Sequence, residues 1–589
     1  MRRLWRMFRW PVLALAAVLA FGFGFVGFTE FFRIVGEPRS PWDVIYLTIQ
    51  LFTLESGSIW GPVPWQLQVA RLLAPVVAGF AAFGALAVLF RERLDHFRAR
   101  FFRNHTVICA LGRKGLLLAK SLRQRGDKVI IVEEDAENNL IDTARAYGAI
   151  VLLGDARDPQ VLEKAGVTRA RHLVAVSGDD GVNAEVAANA KVLISGRRSA
   201  PLSCLAHIVD PHLCTLLRMQ EIGRKRRDPL RLDFFNVFES GARSLLADYP
   251  LNGPGPEGGL PASHVVVLGL GRFGESLILQ GARQWHAARS DPDQKIRVSI
   301  VDRASDTLTA AFSGRHPWLR RACELTPVEL DFETREFTDA SFLFNAQGVL
   351  DVTTIYVCVD DDSKGISAAL NLHRHVRDRR VPIVVRMVQG AGLASLFSKD
   401  RSGEEEYAGL HAFGLLDRMC KPDLLLAGDH EVLGKAMHEQ WVRDQRTKGN
   451  DTVAKTGLVP WDQLSDDLKE SNRAQAAHIG VKLAAVGCEI NPLTAWEAAE
   501  QFTFRPSELE KLAQMEHQRF VDERLNAGWR RGPRDPGRKR SPYLVPWAEL
   551  DEETREIDRI FIRDLPKFLA GVGFQIVRVE GGREAEGPG

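Results

Sequence analysis

A G-x-G-x-x-G turn directly follows the apolar run Val265–Leu268, and its glycines are Gly269, Gly271 and Gly274. Small residues between a strand and a helix let the backbone approach a phosphate group, which the partial positive charge of the helix N-terminus attracts. The next apolar run ends in Asp302, about where a carboxylate accepts hydrogen bonds from ribose hydroxyls. The spacing predicts a nucleotide site; the alternative is a tight turn that binds no ligand.

The same order of residues occurs earlier in the chain. The apolar run Thr106–Cys109 leads into a turn in which Gly112 and Gly115 keep the last two glycine positions and Ala110 stands at the first. Glu133 ends the following apolar run, in the position of the acid in the later copy. A strand, turn and helix pattern that is used twice predicts two domains of one type.

Acidic residues also follow the later apolar runs. Asp155 comes after the third run of the first copy, and Asp179 and Asp361 come after the fourth run of each copy. Carboxylates at such places either bind a ligand or cap the next helix. Because strands alternate with helices, we expect two Rossmann-like domains with doubly wound parallel sheets, at residues 104–252 and 260–428.

Two apolar segments precede these copies, at residues 10–29 and 67–90. At about 1.5 Å rise per residue each can cross a hydrocarbon core of about 30 Å. Arginines crowd residues 2–9 and 91–103, which predicts a multi-pass protein of the cell (inner) membrane with both termini in the cytoplasm. A cleaved signal peptide is the alternative for the N-terminus, but a second apolar segment follows it, and the sequence beyond that segment is typical of a cytosolic protein.

The stretch at residues 41–57 is too short to cross a membrane and too apolar for an ordinary loop, so it predicts a re-entrant pore helix with a filter behind it. The filter residues are Thr53, Leu54, Glu55, Ser56 and Gly57. Non-helical backbone at membrane depth must be buried in protein or line a water-filled cavity, which here requires several subunits. A ring of Glu55 carboxylates would attract cations; alternatively, Glu55 lies at the outer mouth and anchors the pore helix.

The composition is that of a folded protein. The chain has 589 residues, of which 45% are hydrophobic and 26% charged, and its net charge of +2 gives no basic field that would favour a nucleic-acid partner. Its seven cysteines lack CxxC pairs and metal spacing. They are therefore expected to be reduced cytosolic thiols, and no metal site is expected.

A second repeat lies near the C-terminus. Leu458–Leu464 returns as Leu544–Leu550, and a helix-favouring acidic stretch follows each copy, so residues 432–579 predict a mainly α-helical domain with a disordered tail at 580–589. The tryptophans are either core residues or the walls of an aromatic pocket for an anionic, nucleotide-like signal. The candidate pocket residues are Trp461, His517, Arg519, Gly528, Trp529, Arg530 and Trp547.

The predicted filter resembles that of two-span potassium channels. That family has Thr-Val-Gly-Tyr-Gly, of which Thr53 and Gly57 are matched here. Glu55 replaces the glycine whose unusual backbone angle turns carbonyls toward the ion, and a glutamate adopts that angle only with strain. The resemblance implies a cation pore whose selectivity for potassium is open.

Residues 104–428 resemble a tandem of RCK domains, also called TrkA-N or KTN domains. The resemblance rests on the glycine turns, the acids after the second strands and the acidic loops. It implies a homotetramer whose eight RCK domains form a gating ring beneath a pore for monovalent cations, with ligands in the clefts that alter the shape of the ring. NAD(H), an adenine nucleotide and a divalent cation are the candidate ligands. Ala110 and Gly365 depart from the family, which has glycine and asparagine there.

Residues 432–579 resemble the ryanodine-receptor (RyR) repeat domain. The repeated Leu-Val-Pro-Trp turn and the Gly-Trp-x-x-Gly-Pro segment at Gly528–Pro533 carry this resemblance, and Phe520 stands where that family usually has tryptophan. Such a module implies a sensor or a recruitment site.

Three classes of function fit these parts. The first is a ligand-gated, potassium-like cation channel, and the second is a nonconducting receptor or toxic membrane effector triggered by a nucleotide-like signal. The third is a membrane-tethered NAD-dependent oxidoreductase, but no set of His, Lys or Tyr residues near the glycine turns suggests hydride transfer. We therefore expect that the chain is not an enzyme.

Overall fold

The computed structural model describes residues 2–55, 59, 62–89, 91–197, 201–222, 229–251, 264–288, 293–379, 381–388, 390, 407, 409–420, 428–447, 457–535 and 537–579. The chain divides into two compact units, residues 1–98 and residues 99–589. Ser56, Gly57 and the predicted tail at 580–589 lie outside the described residues.

The first unit is helical. Its helices, with one short 3-10 turn, are Arg2–Val35, Pro41–Gln50, Leu51–Thr53 (3-10), Trp65–Leu89 and the start of Arg91–Ala99. Two stretches, Pro11–Val35 and Trp65–Phe83, are long and apolar enough to cross a membrane. Only 22% of each stretch is buried within the chain, so most of this apolar surface has to be covered by lipid or by other subunits.

The first helix meets its neighbours at glycines. A Cβ atom on Gly27 would lie 2.7 Å from the Cβ of Leu67, and one on Gly24 would lie 2.8 Å from the Cγ2 of Thr48. The short helix after it is capped by Ser40, whose Oγ accepts a 3.2 Å hydrogen bond from the backbone N–H of Asp43. Close backbone approach at small residues therefore holds the three helices together.

The second unit contains two parallel sheets of six strands each. The first is built from β1 (Thr106–Cys109), β2 (Val129–Glu133), β3 (Ile150–Leu153), β4 (His172–Ala175), β5 (Leu202–His207) and β6 (Leu230–Phe235). The second is built from β7 (His264–Leu268), β8 (Ile296–Asp302), β9 (Cys323–Glu329), β10 (Thr354–Val357), β11 (Ile383–Met387) and β12 (Leu410–Gly414).

Both sheets have the same strand order. It runs β3-β2-β1-β4-β5-β6 in the first and, read from the other edge, β9-β8-β7-β10-β11-β12 in the second. This is the order of the Rossmann fold, with the change of direction beside the first strand. The prediction of two Rossmann-like parallel sheets is confirmed.

Helices flank both sheets. Those of the first are Arg113–Gln124, Ile141–Ala146, Pro159–Lys164, Asp180–Leu193, Pro211–Ile222 and Val237–Asp248, with a 3-10 turn at Val167–Arg169. Those of the second are Arg272–Ala288, Ser305–Arg315, Leu319–Ala322, Arg335–Asp339, Asp362–Val376 and Leu415–Met419, with 3-10 turns at Ser341–Leu343 and Arg377–Arg379. All seven cysteines of the chain are buried.

The C-terminal region is mainly helical. Its helices are Gly428–Thr447, Asp466–Ala477, Ile479–Ala484, Trp496–Gln501, Pro506–Asn526 and Glu552–Gly571, with 3-10 turns at Trp461–Gln463 and Trp547–Glu549. Strands β13 (Cys488–Pro492) and β16 (Phe574–Arg578) pair antiparallel, and β14 (Arg530–Arg531) pairs with β15 (Arg540–Ser541).

The sequence repeat in this region is also a structural repeat. The ring of His438 contacts the backbone oxygen of Val459 at 2.8 Å, and the ring of His517 contacts that of Val545 at 2.7 Å. In each half, the tryptophan of the Leu-Val-Pro-Trp turn lies near that histidine, with ring centroids 5.9 Å and 5.8 Å apart. One helix-and-turn unit is therefore used twice.

The helical region packs on both sheets. Trp496 and Ala570 belong to the same hydrophobic core as β7 and β8, and the ring of Trp496 stacks on that of His286 at 3.9 Å. On the first domain, Met219 packs against the hydrophobic core of the helical region. The two Rossmann-like domains and the helical region are thus packed together within the second unit.

We expect Gly27→Ala to destabilise the first unit by about 1–3 kcal/mol, because the added methyl group would overlap the backbone of Leu67. Gly22→Ala is the matched control, since a Cβ there has no described neighbour within 4 Å. The measurement is thermal unfolding of the purified full chain in detergent. Equal transition temperatures for the two variants would contradict this close contact.

Candidate functional site

The predicted filter begins with a tight backbone turn. The carbonyl of Gln50 accepts hydrogen bonds from the Thr53 hydroxyl at 2.9 Å and the Glu55 backbone N–H at 3.2 Å. Leu54 takes the left-handed conformation, with φ of 67°, and its side chain is 83% exposed. The sequence analysis expected a strained backbone angle at Glu55. In the structure the left-handed conformation is at Leu54, one residue earlier, and Glu55 is exposed.

The two glycine turns have the same backbone shape. Ala110 has φ of 79° and Gly269 has φ of 88°, so alanine keeps the left-handed conformation at a cost of about 1–2 kcal/mol. A Cβ on Gly115 would collide with the carbonyl oxygen of Ala110, and one on Gly274 with that of Gly269. The last glycine of each turn is needed for this close packing whether or not a ligand binds.

The middle glycines are different, because they have room. Gly112 precedes the helix Arg113–Gln124 and offers no side chain to cap its backbone N–H groups, and a Cβ on it would have no described neighbour within 4 Å. A Cβ on Gly271 would lie 3.8 Å from a carboxylate oxygen of Asp360. Space over an uncapped helix N-terminus suits a phosphate group.

The acids at the ends of β2 and β8 hold these turns. Glu133 accepts a 2.6 Å hydrogen bond from the backbone N–H of Leu111, and Asp302 accepts a 3.0 Å bond from that of Leu270. A carboxylate has about four lone-pair sites, so each still has acceptor capacity for a ribose hydroxyl.

The other predicted acids form hydrogen bonds with residues that are close to them in the chain. Asp179 caps the helix Asp180–Leu193, and Asp361 caps the helix Asp362–Val376, each through its carboxylate and backbone N–H groups. Asp155 is held by Arg157, with Nε 3.0 Å from Oδ1, and this hydrogen bond lowers the pKa of Asp155. The cap interpretation of Asp179 and Asp361 thus has a structural basis.

Sequence reasoning missed the basic residues at the ends of the fifth strands. By strand register, His207 at the end of β5 has the position that Arg386 has in β11, since Ala206 pairs with Ala175 of β4 and Val385 pairs with Val357 of β10. Lys114 Nζ lies 3.0 Å from His207 Nδ1, and burial lowers the pKa of Lys114 to about 8.

The loop after the fourth strand is bound to the fifth strand by different residues in the two domains. In the first, Asn183 donates to the carbonyls of Ser177 at 3.1 Å and His207 at 2.9 Å. Gly365 occupies the place of Asn183 in the second, where Arg386 reaches the carbonyl of Asp360 at 3.0 Å. Arg386 therefore binds the loop after β10 to the fifth strand of its sheet, as Asn183 binds the equivalent loop in the first domain, although Gly365 replaces the asparagine.

The candidate C-terminal residues fall into different environments. The ring of Trp547 lies 5.8 Å from that of His517, which lies 6.4 Å from Phe520. Arg524 continues this row, with its guanidinium 5.6 Å from the Phe520 ring and 4.7 Å from the Trp529 ring. We call these five residues the aromatic row.

The remaining candidates lie beside the row or apart from it. Gly528 has φ of 81° after the end of the helix Pro506–Asn526, and Arg530 is exposed. Trp461 is buried and packs near His438 in the other half of the repeat. The Trp547 indole N–H donates to Glu510 at 3.0 Å, as a tryptophan with a satisfied polar group does.

Two parts of the chain match known domain families. Residues 106–223 match the TrkA-N domain, and residues 506–578 match the RyR domain. The chain carries a TrkA-N domain and a RyR domain. The RyR match covers the second half of the helical repeat described above.

Relatives of the TrkA-N domain include transport proteins. The Trk system potassium uptake protein TrkA homolog of Pyrococcus horikoshii is 30% identical over 123 residues, which are 21% of this chain and 46% of that protein. Potassium channel protein 1 of Methanocaldococcus jannaschii is 29% identical over 119 residues, 20% of this chain and 35% of that protein. The chain spans less than half the length of either relative.

Among solved structures, the GsuK channel bound to NAD is similar. It shares 14% identity, with a TM-score of 0.36, over 72% of this chain and 84% of that chain.

The C-terminal helical region contains a buried network of charges. Lys482 is 0% exposed and forms an ion pair with Glu516, which also accepts hydrogen bonds from Arg519 at 2.8 and 3.0 Å. Arg519 reaches Glu523 at 2.8 Å as well. Although burial acts to raise the pKa of Glu516, Lys482 and Arg519 lower it to about 2. Arg519, which the sequence analysis named as a candidate pocket residue, is thus held by Glu516 and Glu523 inside this network.

We expect Lys482→Met to destabilise the C-terminal helical region by about 3–5 kcal/mol, because it leaves the buried carboxylate of Glu516 without this partner. Adding Glu516→Gln should recover much of that loss, since Arg519 keeps its bond to Glu523. Glu516→Gln alone completes the cycle, and Lys567→Met, on an exposed residue, is the control. Chemical denaturation of the full chain, followed by tryptophan fluorescence, measures the wild-type protein and these four variants, and additive losses in the double variant would contradict the pairing.

Proposed function

We propose that the chain is a subunit of a ligand-gated cation channel. The observation that carries this proposal is the order of parts: two long apolar helices with a short helix and a tight turn between them, followed by a TrkA-N domain and a second sheet of the same topology. TrkA-N relatives include a protein named as a potassium channel and one named for potassium uptake. A homotetramer would place four short helices and turns around one axis in the membrane.

The proposed ligand is an adenine nucleotide or NAD(H) in the clefts over the glycine turns. Space over Gly112 and Gly271, the uncapped helix start and the spare acceptor capacity of Glu133 and Asp302 support it. The clefts differ in charge. Lys114 borders the first, whereas the second has Asp360, which is paired with Arg386 at 3.3 Å.

The charge difference favours the first cleft for a polyphosphate. Asp360 adds negative charge beside Gly271, and its pairing with Arg386 offsets this only in part, because Asp360 is 78% exposed at its side chain. The first domain has Gly178 at the corresponding place. The RyR domain, with its aromatic row and the exposed Arg530, is the proposed receptor for a second, anionic signal.

The decisive experiment is current recording from the full chain reconstituted in planar bilayers, with ATP, ADP or NAD added on the side of the soluble unit. We expect currents that a nucleotide changes. Gly112→Val should abolish the response of the first cleft and Gly271→Val that of the second, because the added side chain fills the space for a phosphate without meeting backbone. Silent bilayers with demonstrably inserted protein would reject the channel and leave the nonconducting receptor.

Glu55 provides a separate test of the pore. If its exposed carboxylate lies on the ion path, Glu55→Gln should lower single-channel cation conductance by about twofold or more, since one negative charge is lost from each subunit. Asp43→Asn is the control, since it removes a charge in the first turn of the same short helix, where the carboxylate accepts a 2.9 Å hydrogen bond from Ser40. Unchanged conductance and selectivity in Glu55→Gln would place Glu55 outside the ion path.

A further inference from the structure

The RyR domain has a strongly basic segment between the helix Pro506–Asn526 and the Leu-Val-Pro-Trp turn. Residues 530–540, which we call the basic segment, contain six exposed cations and one acid, Asp535, and so have a net charge of +5. The exposed cations are Arg530, Arg531, Arg534, Arg538, Lys539 and Arg540. A chain whose net charge is only +2 therefore has a strongly positive surface at this segment.

Two of these cations have acidic partners. Arg531 pairs at 3.2 Å with Glu549, which lies outside the segment, and Arg538 lies 3.8 Å from Asp535. All four of these side chains are exposed, so water screens both pairs. With both acids counted against the six cations, a surplus of four positive charges remains.

The other four cations have no carboxylate within ion-pair distance in the part of the chain that the structure describes. They are Arg530, Arg534, Lys539 and Arg540. Lys539 donates to a neutral acceptor, the carbonyl of Ala527, at 3.1 Å. These charges are therefore accessible to an anion from outside the chain.

Backbone hydrogen bonds hold the basic segment in one shape. The N–H of Arg530 donates to the carbonyl of Lys539 at 2.9 Å, and Asp535 and Arg540 exchange bonds of 3.1 and 2.9 Å. Strands β14 and β15 pair Arg530 directly with Arg540, and neighbouring strands lie about 4.8 Å apart. Two exposed guanidinium groups thus start side by side, and their mutual repulsion is relieved when an anion binds.

The fold of the repeat does not require this charge. In the first copy of the repeat, the stretch between the helix Gly428–Thr447 and the Leu-Val-Pro-Trp turn is residues 448–457, with two lysines and one aspartate. Residues 448–456 lie outside the described residues, and their sequence alone shows the difference. The excess of cations therefore belongs to the second copy and not to the helix-and-turn unit as such.

Apolar side chains border the basic segment. Leu525, in the last turn of the preceding helix, is 53% exposed, and Tyr543, which follows β15, is 39% exposed. Exposed apolar and aromatic side chains beside cations are typical of surfaces that lie in the headgroup region of a membrane. The same chain has two helices long and apolar enough to cross a membrane, so the segment is tethered to a lipid surface and meets it at a high effective concentration.

We propose that the basic segment binds the phosphate groups of an anionic lipid surface. Guanidinium groups donate pairs of N–H bonds to phosphate oxygens, and each cation near an anionic leaflet strengthens binding about fivefold. A surplus of four charges along an exposed segment suits several headgroups at once better than one small ligand. The position of the RyR domain would then depend on the lipid composition of the membrane.

The test is flotation of the full chain, held in nanodiscs of neutral phosphatidylcholine, with added vesicles of phosphatidylcholine alone or mixed with phosphatidylglycerol. We expect binding to the phosphatidylglycerol vesicles that declines as the salt concentration is raised. Arg530→Gln and Arg540→Gln should each weaken this binding about fivefold, and the double variant about twentyfold or more. Equal binding to the two kinds of vesicle would overturn the proposal.

Lysine substitutions separate charge from shape. Arg530→Lys combined with Arg540→Lys keeps both charges and should retain vesicle binding within about twofold. A loss as large as that of the glutamine variants would contradict binding by charge. The matched control, Arg374→Gln combined with Arg379→Gln, removes two exposed arginines of the second Rossmann-like domain and should bind as the wild-type protein does. An equal loss in this control would overturn the assignment to the basic segment.

Nucleic acid is another polyanion that exposed arginines can bind. A single-stranded RNA oligonucleotide is therefore offered to the same proteins in a parallel arm. RNA binding that the glutamine variants abolish, without any vesicle binding, would reject the lipid contact. Flotation requires no ion conduction, so its outcome is independent of the current recordings that test the channel.

Discussion

One steric constraint underlies both clefts: the helix after the first strand of each sheet starts against the carbonyl of the residue that begins the turn. Gly115 and Gly274 make that approach, and it forces Ala110 and Gly269 into the left-handed conformation. Among the described residues, no side chain caps the helix start at Gly112, and in both domains the acid at the end of the second strand accepts a hydrogen bond from the turn. The shape of the turn thus follows from packing, which explains why it is kept with alanine at Ala110.

Much of the fold could be predicted from the sequence, because local pattern and global topology agree. Alternating apolar runs and amphipathic helices gave two sheets in the right places, and the repeated Leu-Val-Pro-Trp turn marked a true structural repeat. The polar contacts that differ between the two domains could not be predicted. The loop after the fourth strand is bound by Asn183 in the first domain and by Arg386 in the second. These residues lie on different elements, and their shared role can be recognised only when strand register aligns the two sheets.

The same limit applies to the candidate sites. Arg519 looked like a ligand-binding residue because the sequence shows its charge but not Glu516 and Glu523, which neutralise it. Burial and long-range pairing decide which cation is structural and which is available, and neither property can be read from spacing.

Trp496 has a consequence for how the chain is made. This side chain, about two hundred residues after β7, completes a hydrophobic core that begins with that strand and includes Trp318. During synthesis the second sheet therefore leaves the ribosome before this part of its core can be covered, because Trp496 has not yet been made. The C-terminal helical region thus completes the core of the second sheet, and a chain that ended before Trp496 would expose Trp318 and its apolar neighbours to water.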